Sequence, residues 1–149
     1  MDQKNLVERK QRTKESNLLD QRFNLALAVS ISGFWDWDMV NNQLYTSPRL
    51  KELLGYKMDE IEFTMEDFWA MLHPDDVPLV QKTLENHLKK KEKYNIEFRL
   101  ASKSGEFLWF HSVGQAVWTK SNEAIRMAGS ITDITQRKKT EKEFEQFKE

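Results

Sequence analysis

The stretch YNIEFRLASKSGEFLWFHSVGQAVWTKSNEAIRMAGSITDITQRK, residues 94–138, decides the fold because three strand-like segments follow one another in it. Apolar residues alternate with polar ones from Tyr94 to Leu100, which predicts a half-buried strand. Short turns at 102–105 and 120–122 lead into two further predicted strands, at 107–118 and 125–133. Strands joined by short turns pair in antiparallel fashion, so we expect an antiparallel sheet here.

The junction between the last of these strands and a helix is the most informative local feature. The alternation stops at Asp133, and residues 135–149 contain neither glycine nor proline and are highly charged. Asp133 is a typical N-cap residue, and Gln136 three positions later predicts a capping box. A helix that grows directly from a sheet moves when the sheet moves.

The N-terminal half supplies two more strands and several short helices. Alternation from Phe34 to Val40 predicts a strand with Trp35 and Trp37 pointing inward, and a turn at 41–42 leads to a second strand at 43–46. Helices are predicted from Ser47-Pro48 to Gly55, in brief pieces between 58 and 72, and over 77–91. Strands grouped apart from helices indicate an α+β domain with an antiparallel sheet and the helices on one face.

The chain ends are predicted to be helical. Residues 2–30 begin highly charged and become amphipathic through Leu19, Phe23 and Ala26, which predicts a helix whose second half has a partner. All glycines and prolines lie between positions 33 and 129. We therefore expect an N-terminal helical extension at 1–23, a central domain at 24–135 and a C-terminal helix at 136–149.

Composition excludes several classes of function. With 149 residues and 39% hydrophobic residues the chain is the size of one domain, and a net charge of −1 argues against a nucleic-acid or membrane surface. The absence of cysteine excludes disulfides, a thiolate nucleophile and any cofactor attached through sulfur. The sequence has neither a transmembrane stretch nor a signal peptide pattern, so we expect a cytoplasmic protein.

Six motifs in family order give the chain a resemblance to PAS domains, in particular the subgroup common in bacterial multi-domain signalling proteins. They are GFWDWD (33–38), SPRL through LGY (47–56), HPDD (73–76), Y-x-x-E-x-R (94–99), G-x-x-x-W (105–109) and D-I-T-x-R-K (133–138). The resemblance implies a five-stranded antiparallel sheet in spatial order 2-1-5-4-3, with short helices on one face. It also implies a sensory or dimerising role rather than catalysis.

The resemblance also implies a pocket between the helices and the sheet. Its candidate ligand is a small apolar or aromatic metabolite; the alternative is that the same side chains simply fill the core. A remote alternative is haem held by His87, which extends the apolar stripe of the helix over 77–91. Covalent flavin chemistry is excluded by the absence of cysteine, while non-covalent flavin has no positive evidence. The candidate pocket residues are Phe34, Leu44, Phe68, Trp69, Leu84, His87, Phe98 and Val113.

Other chemistry has little support in the sequence. Asp36 and Asp38 share one face of a strand, but they read as the solvent-facing half of the alternation rather than as an acid/base pair. The three histidines are too scattered for a zinc motif. Neither a nucleophile motif nor a phosphate-binding glycine loop is present, so we predict that this segment is not an enzyme.

These features together predict a sensory module that relays a signal to a C-terminal effector. Asp133, Ile134 and Thr135 are the candidate relay residues, as cap, packing anchor and junction. By resemblance the effector is a histidine kinase or a cyclic-dinucleotide enzyme, and a homodimer is expected through the N-terminal helix and the sheet face. The alternative function is a ligand-free dimerisation scaffold.

Overall fold

The chain divides into two units, Met1–Ile31 and Ser32–Glu149. The structure is a computed structural model that describes residues 3–29 and 32–147. In the first unit a single helix, α1, spans Gln3–Val29. Several large apolar side chains of α1 are exposed: Leu6, Val7, Leu18, Leu19, Phe23 and Leu25.

Five antiparallel strands form one sheet in the second unit. The strands are β1 (Gly33–Asp38), β2 (Gln43–Thr46), β3 (Tyr94–Ala101), β4 (Phe107–Trp118) and β5 (Ala124–Asp133). Their spatial order is β2-β1-β5-β4-β3. This confirms the predicted α+β class and the predicted strand order.

The first strand is shorter than the alternation predicted. β1 ends at Asp38 rather than at Val40, because the Asp38 carboxylate accepts hydrogen bonds from the backbone N–H groups of Val40 and Asn41, at 3.0 and 3.2 Å. An aspartate that bonds the backbone two residues ahead starts a turn. The chain therefore leaves the sheet before the apolar pattern ends.

Four helical elements lie between β2 and β3, and a fifth helix follows β5. They are α2 (Pro48–Leu53), α3 (Met65–Met71), a 3₁₀ turn (Pro74–Asp76), α4 (Val77–Lys90) and α5 (Thr135–Phe147). Thr64 and Asp67 form a reciprocal capping box at the start of α3. Lys91 ends α4 in the left-handed conformation, with φ of 58°. Across the described residues, no helix combines the length and hydropathy that a membrane crossing requires.

The core lies between α2–α4 and one face of the sheet, which we call the inner face. β3 shows the principle: Tyr94, Ile96, Phe98 and Leu100 are buried while the residues between them are more exposed. Opposite residues on paired strands share a face, so Phe110 joins Phe98 in this layer. We call the opposite side of the sheet the outer face.

Candidate functional site

An apolar cavity of about 50 Å³ lies between the inner face and the helices. Trp35 and Trp37 of β1 both line it, which confirms that the two indoles point inward. The helices contribute Leu50, Met65, Phe68, Val80 and Leu84 to the lining, the segment before α3 contributes Phe63, and the sheet contributes Leu44, Thr46, Tyr94, Phe98, Ser112, Met127 and Ile131.

Half of the predicted pocket residues line this cavity. Leu44, Phe68, Leu84 and Phe98 do so, whereas Phe34, Trp69, His87 and Val113 are not among its lining residues. Phe34 alternates with the inward Trp35, so its side chain belongs to the outer face, and Val113 likewise follows the inward Ser112 and is 41% exposed. Trp69 is adjacent to Phe68 on α3, and its ring meets the Phe68 ring edge-on at 5.4 Å. The predictions for Phe34 and Val113 are wrong because adjacent residues of a strand face opposite sides of the sheet. The prediction for Trp69 is wrong because adjacent residues of a helix point in different directions.

His87 is buried but has no nitrogen to offer to a haem iron. The Ala116 backbone N–H donates to Nε2 at 3.0 Å, so Nδ1 carries the ring proton and donates to the Glu92 carbonyl at 2.6 Å. The side chain is 2% exposed. These contacts tie the end of α4 to β4, so the structure assigns His87 a packing role.

The feature that the sequence did not reveal is the setting of Trp35. Its indole N–H donates to the Ser112 hydroxyl at 3.1 Å and to the Ser130 carbonyl at 3.2 Å. The far side of the indole meets the Tyr94 ring edge-on, with centroids 6.2 Å apart. The inward phase of both residues followed from the alternation, but this contact across the sheet depends on strand order.

Tyr94 gives the cavity a neutral phenol. The side chain is 6% exposed, and this burial raises the pKa of its hydroxyl. The Tyr94 hydroxyl therefore stays protonated and adds no charge to the cavity lining.

The predicted relay residues form the joint between β5 and α5. The Asp133 carboxylate accepts from the Thr135 backbone N–H at 2.9 Å, and Ile134 is 7% exposed. Ile134 donates its N–H to the Trp109 carbonyl at 2.9 Å, and Trp109 donates its own N–H to the Thr135 hydroxyl at 3.0 Å. The joint is thus attached to β4 as well as to β5.

The capping box predicted with Gln136 is wrong. The Gln136 side-chain amide donates forward to the Thr140 hydroxyl at 3.5 Å instead of reaching back. α5 begins at Thr135, so Gln136 is the second residue of the helix, whereas a capping box requires the third.

Charged side chains connect the first turn of α5 to β3. Glu97 pairs with Lys138 and with Arg137, and the hydrogen bond from Lys138 is the main cause that lowers the pKa of the Glu97 carboxyl. The Lys138 ammonium also lies 4.9 Å from the Trp109 ring centroid. Glu97 therefore links β3, the edge strand of the sheet, to the first turn of α5.

A second ion pair continues this network toward α4. Arg99 donates through Nε and Nη2 to the two Asp76 oxygens, at 3.0 and 2.8 Å, and its guanidinium lies 4.7 Å from the Trp109 ring centroid. Burial acts to raise the pKa of Asp76, but the hydrogen bonds from Arg99 outweigh it and hold that pKa below its ordinary value. The Trp109 ring thus contacts two cations, Arg99 and Lys138.

The aspartates of β1 make structural contacts. Asp36 forms a bidentate ion pair with Arg126, and Asp38 accepts the turn hydrogen bonds described above. Within residues 3–29 and 32–147, no three histidine or carboxylate side chains are grouped so as to hold a metal ion.

Comparison with known proteins places this geometry in a family. A model described as the PAS fold matches residues 43–131. The crystal structure of a sensory box histidine kinase/response regulator from Burkholderia thailandensis is 35% identical with a TM-score of 0.76, and the match covers 85% of this chain and 95% of that one. The N-terminal domain of a diguanylate cyclase with a PAS/PAC sensor from Marinobacter aquaeolei is 20% identical with a TM-score of 0.62, covering 71% and 97%.

Curated relatives are much longer than this chain. The uncharacterized protein y4lL of Sinorhizobium fredii is 32% identical over 116 residues, which are 77% of this chain and 13% of that protein. A blue-light-activated histidine kinase of Brucella ovis is 26% identical over 136 residues, which are 90% of this chain and 26% of the kinase. The family model covers more than half of the chain, so the chain belongs to the PAS family of sensor domains.

Proposed function

We propose that this chain is a sensory PAS module that relays a change in its cavity, or at a dimer interface, through Asp133, Ile134 and Thr135 to a C-terminal effector. The proposed cavity ligand is a small apolar or aromatic molecule. The proposed effector is a histidine kinase or a diguanylate cyclase, because relatives and structural neighbours carry those names. A chain that matches 13% and 26% of the length of these two curated relatives fits a part of a larger signalling protein.

The observation that carries the proposal is the short path between the cavity and α5. Ile131 lines the cavity, and the cap residue Asp133 lies two positions further along β5. Ser112 lines the cavity from β4, and Trp109 on the same strand holds both Ile134 and Thr135. A shift of either strand at the cavity is therefore carried by the backbone to the start of α5.

A pair of matched variants on α4 tests this path. Leu84 lines the cavity, whereas Leu79 on the same helix is 55% exposed and does not. We expect Leu84→Ala to speed amide hydrogen exchange in residues 135–147, because the change in the cavity reaches the joint. Leu79→Ala should leave that exchange unchanged. If Leu84→Ala accelerates exchange around the cavity while α5 keeps its wild-type rates, the relay does not exist.

The exposed apolar residues of α1 support homodimerisation. Leu18 and Leu25 are two helical turns apart, and 46% and 67% exposed, a pattern that suits pairing with a second helix. Sedimentation velocity over a wide concentration range tests this, with a Leu18→Glu/Leu25→Glu variant as the disrupted form. We expect the wild-type chain to dimerise and the variant to be monomeric. A wild-type chain that is monomeric throughout would remove the dimer from the proposal.

The size of the cavity limits which ligand the proposal admits. Sites for drug-sized ligands and cofactors occupy about 300–1,000 Å³, far more than the approximately 50 Å³ of this cavity. A flavin, which some members of the family bind, therefore does not fit the residues present. The same volume argues against a haem, as do the two occupied nitrogens of His87.

The small cavity also favours a second candidate function, a dimerisation scaffold without a ligand. Native mass spectrometry and an absorbance scan of freshly purified protein separate the two candidates. A bound small molecule supports sensing within the cavity. An apo mass with no visible absorbance, together with a dimer in sedimentation, supports the scaffold.

A further inference from the structure

Four residues on the inner face form one row across the centre of the sheet. Trp35 of β1 is opposite Gly129 of β5, Gly129 is opposite Gly114 of β4, and Gly114 is opposite Tyr94 of β3. The indole ends at Tyr94, so it must cross the two glycines that lie between these strands. The middle of the inner face thus carries one aromatic ring system over two residues without side chains.

The glycines leave the room that the indole occupies. A Cβ atom on Gly114 would lie 2.7 Å from both Cη2 and Cζ2 of Trp35. A Cβ atom on Gly129 would lie 2.8 Å from the same Cζ2. Carbon atoms in ordinary contact are at least 3.4 Å apart, so any side chain at either position would collide with the ring.

We infer that Trp35 is the residue that sets the ligand size of this cavity, because its indole covers the flat glycine surface that a planar ring ligand would otherwise contact. With Trp35 in place, the approximately 50 Å³ that remain are too small for a ring system of indole size. Without it, the same surface accepts a planar heteroaromatic ring of indole size. Trp35 therefore excludes flavin from the cavity of this PAS domain.

Two further observations indicate that the space occupied by the Trp35 indole would select a particular kind of ring. The indole N–H has two acceptors, Ser112 and Ser130, so the vacated surface would favour a ring with an N–H donor. Trp37 lines the same cavity from the same strand, but its N–H donates to Asn42 and its row contains Met127 and Ala116 instead of glycines. The two tryptophans therefore differ in what lies beneath them.

Trp37 supplies the matched control for the experiment. Indole is titrated into the wild-type chain, Trp35→Ala and Trp37→Ala, with binding measured by calorimetry and by the rise in Tm that a bound ligand produces. Flavin mononucleotide is titrated into the wild-type chain. We expect Trp35→Ala to bind indole at least tenfold more tightly than the other two proteins, and the wild-type chain to bind no flavin. Should Trp35→Ala be unfolded, recovery of its circular dichroism on addition of indole, or indole binding by Trp35→Leu, replaces the calorimetric result.

Three outcomes would overturn the inference. They are equal indole binding by Trp35→Ala and the wild-type chain, equal binding by Trp37→Ala and Trp35→Ala, and flavin binding by the wild-type chain. If Trp35→Ala is unfolded, failure of indole to restore its structure, together with no indole binding by Trp35→Leu, also overturns it. The inference gives a ligand size to the proposed sensor and rests on that proposal for its biological meaning. Its test does not involve α5, so a failed relay in hydrogen exchange and a failed size limit in titration are separate results.

Discussion

Gly114→Ala should destabilise the domain only while Trp35 is present. The new Cβ atom would lie 2.7 Å from two indole carbons and 2.9 Å from the Met127 methyl group, all of them side-chain atoms. Moving the ring from 2.7 Å to the ordinary 3.4 Å would strain its two hydrogen bonds and its contact with Tyr94. Trp35→Ala removes the two closest contacts and leaves space into which the flexible end of Met127 can move, so the glycine should then tolerate the methyl group.

The expected size of the effect follows from overpacking and backbone entropy. Overpacking a close-packed core costs about 1–3 kcal/mol. Replacing glycine by alanine at a compatible backbone position returns about 0.4–1 kcal/mol through the unfolded state. We therefore expect Gly114→Ala to lower the free energy of unfolding by about 1–2 kcal/mol in the wild-type background and to be neutral or slightly stabilising in the Trp35→Ala background.

Urea denaturation of the four proteins of this double-mutant cycle, followed by circular dichroism, measures the coupling. Gly129→Ala is the control, because its Cβ atom would lie 2.0 Å from the Val113 carbonyl oxygen, a backbone atom that no change at Trp35 moves. That variant should remain destabilised in both backgrounds. The reasoning fails if Gly114→Ala and Trp35→Ala are additive within about 0.5 kcal/mol.

Three further predictions concern the joint and α4. Asp133→Ala should cost about 1 kcal/mol through the lost cap, speeding hydrogen exchange in α5 while the core stays folded; a collapsed thermal midpoint with no folded population would contradict this. Because Lys138 and Arg137 lower the pKa of Glu97 below its ordinary 4.5, the stabilisation from this carboxylate is present above 4.5 and lost as pH falls through the folded pKa. NMR shifts of residues 137 and 138 should therefore report undocking of α5 below pH 4.5 in the wild-type chain and lose this pH dependence in Glu97→Gln; identical pH curves would refute the role of Glu97. His87→Leu leaves the buried Ala116 N–H without an acceptor, at a cost of about 1–3 kcal/mol, and also removes the hydrogen bond to the Glu92 carbonyl; an unchanged urea midpoint would show that these hydrogen bonds contribute nothing.

The fold could be predicted from the sequence because the signals that specify it are local. The alternation of Tyr94, Ile96, Phe98 and Leu100 states which side of β3 is buried, and the structure buries all four. The strand order came from the resemblance, and the sheet confirms it. The end of β1 was missed because Asp38 bonds backbone groups ahead of it, a contact that competes with an apolar pattern continuing to Val40.

The candidate site could be predicted only in part because a cavity depends on elements distant in sequence. Leu44, Phe68, Leu84 and Phe98 line it, but Phe34 and Val113 are one position out of phase, and one step along a strand changes the face. His87 continued the apolar stripe of α4, yet only the path of β4 reveals that its ring bonds Ala116. The glycine surface under Trp35 requires three strand pairings at once.

Three strands hold the first turn of α5 at once. Glu97 on β3, Trp109 on β4 and Asp133 on β5 all contact this turn, and Phe147 at the other end of the helix is 89% exposed. At about 1.5 Å per residue the 13 residues of α5 extend roughly 20 Å from this attachment. A rotation of a few degrees at the first turn would therefore displace the last residues of the helix by about an ångström.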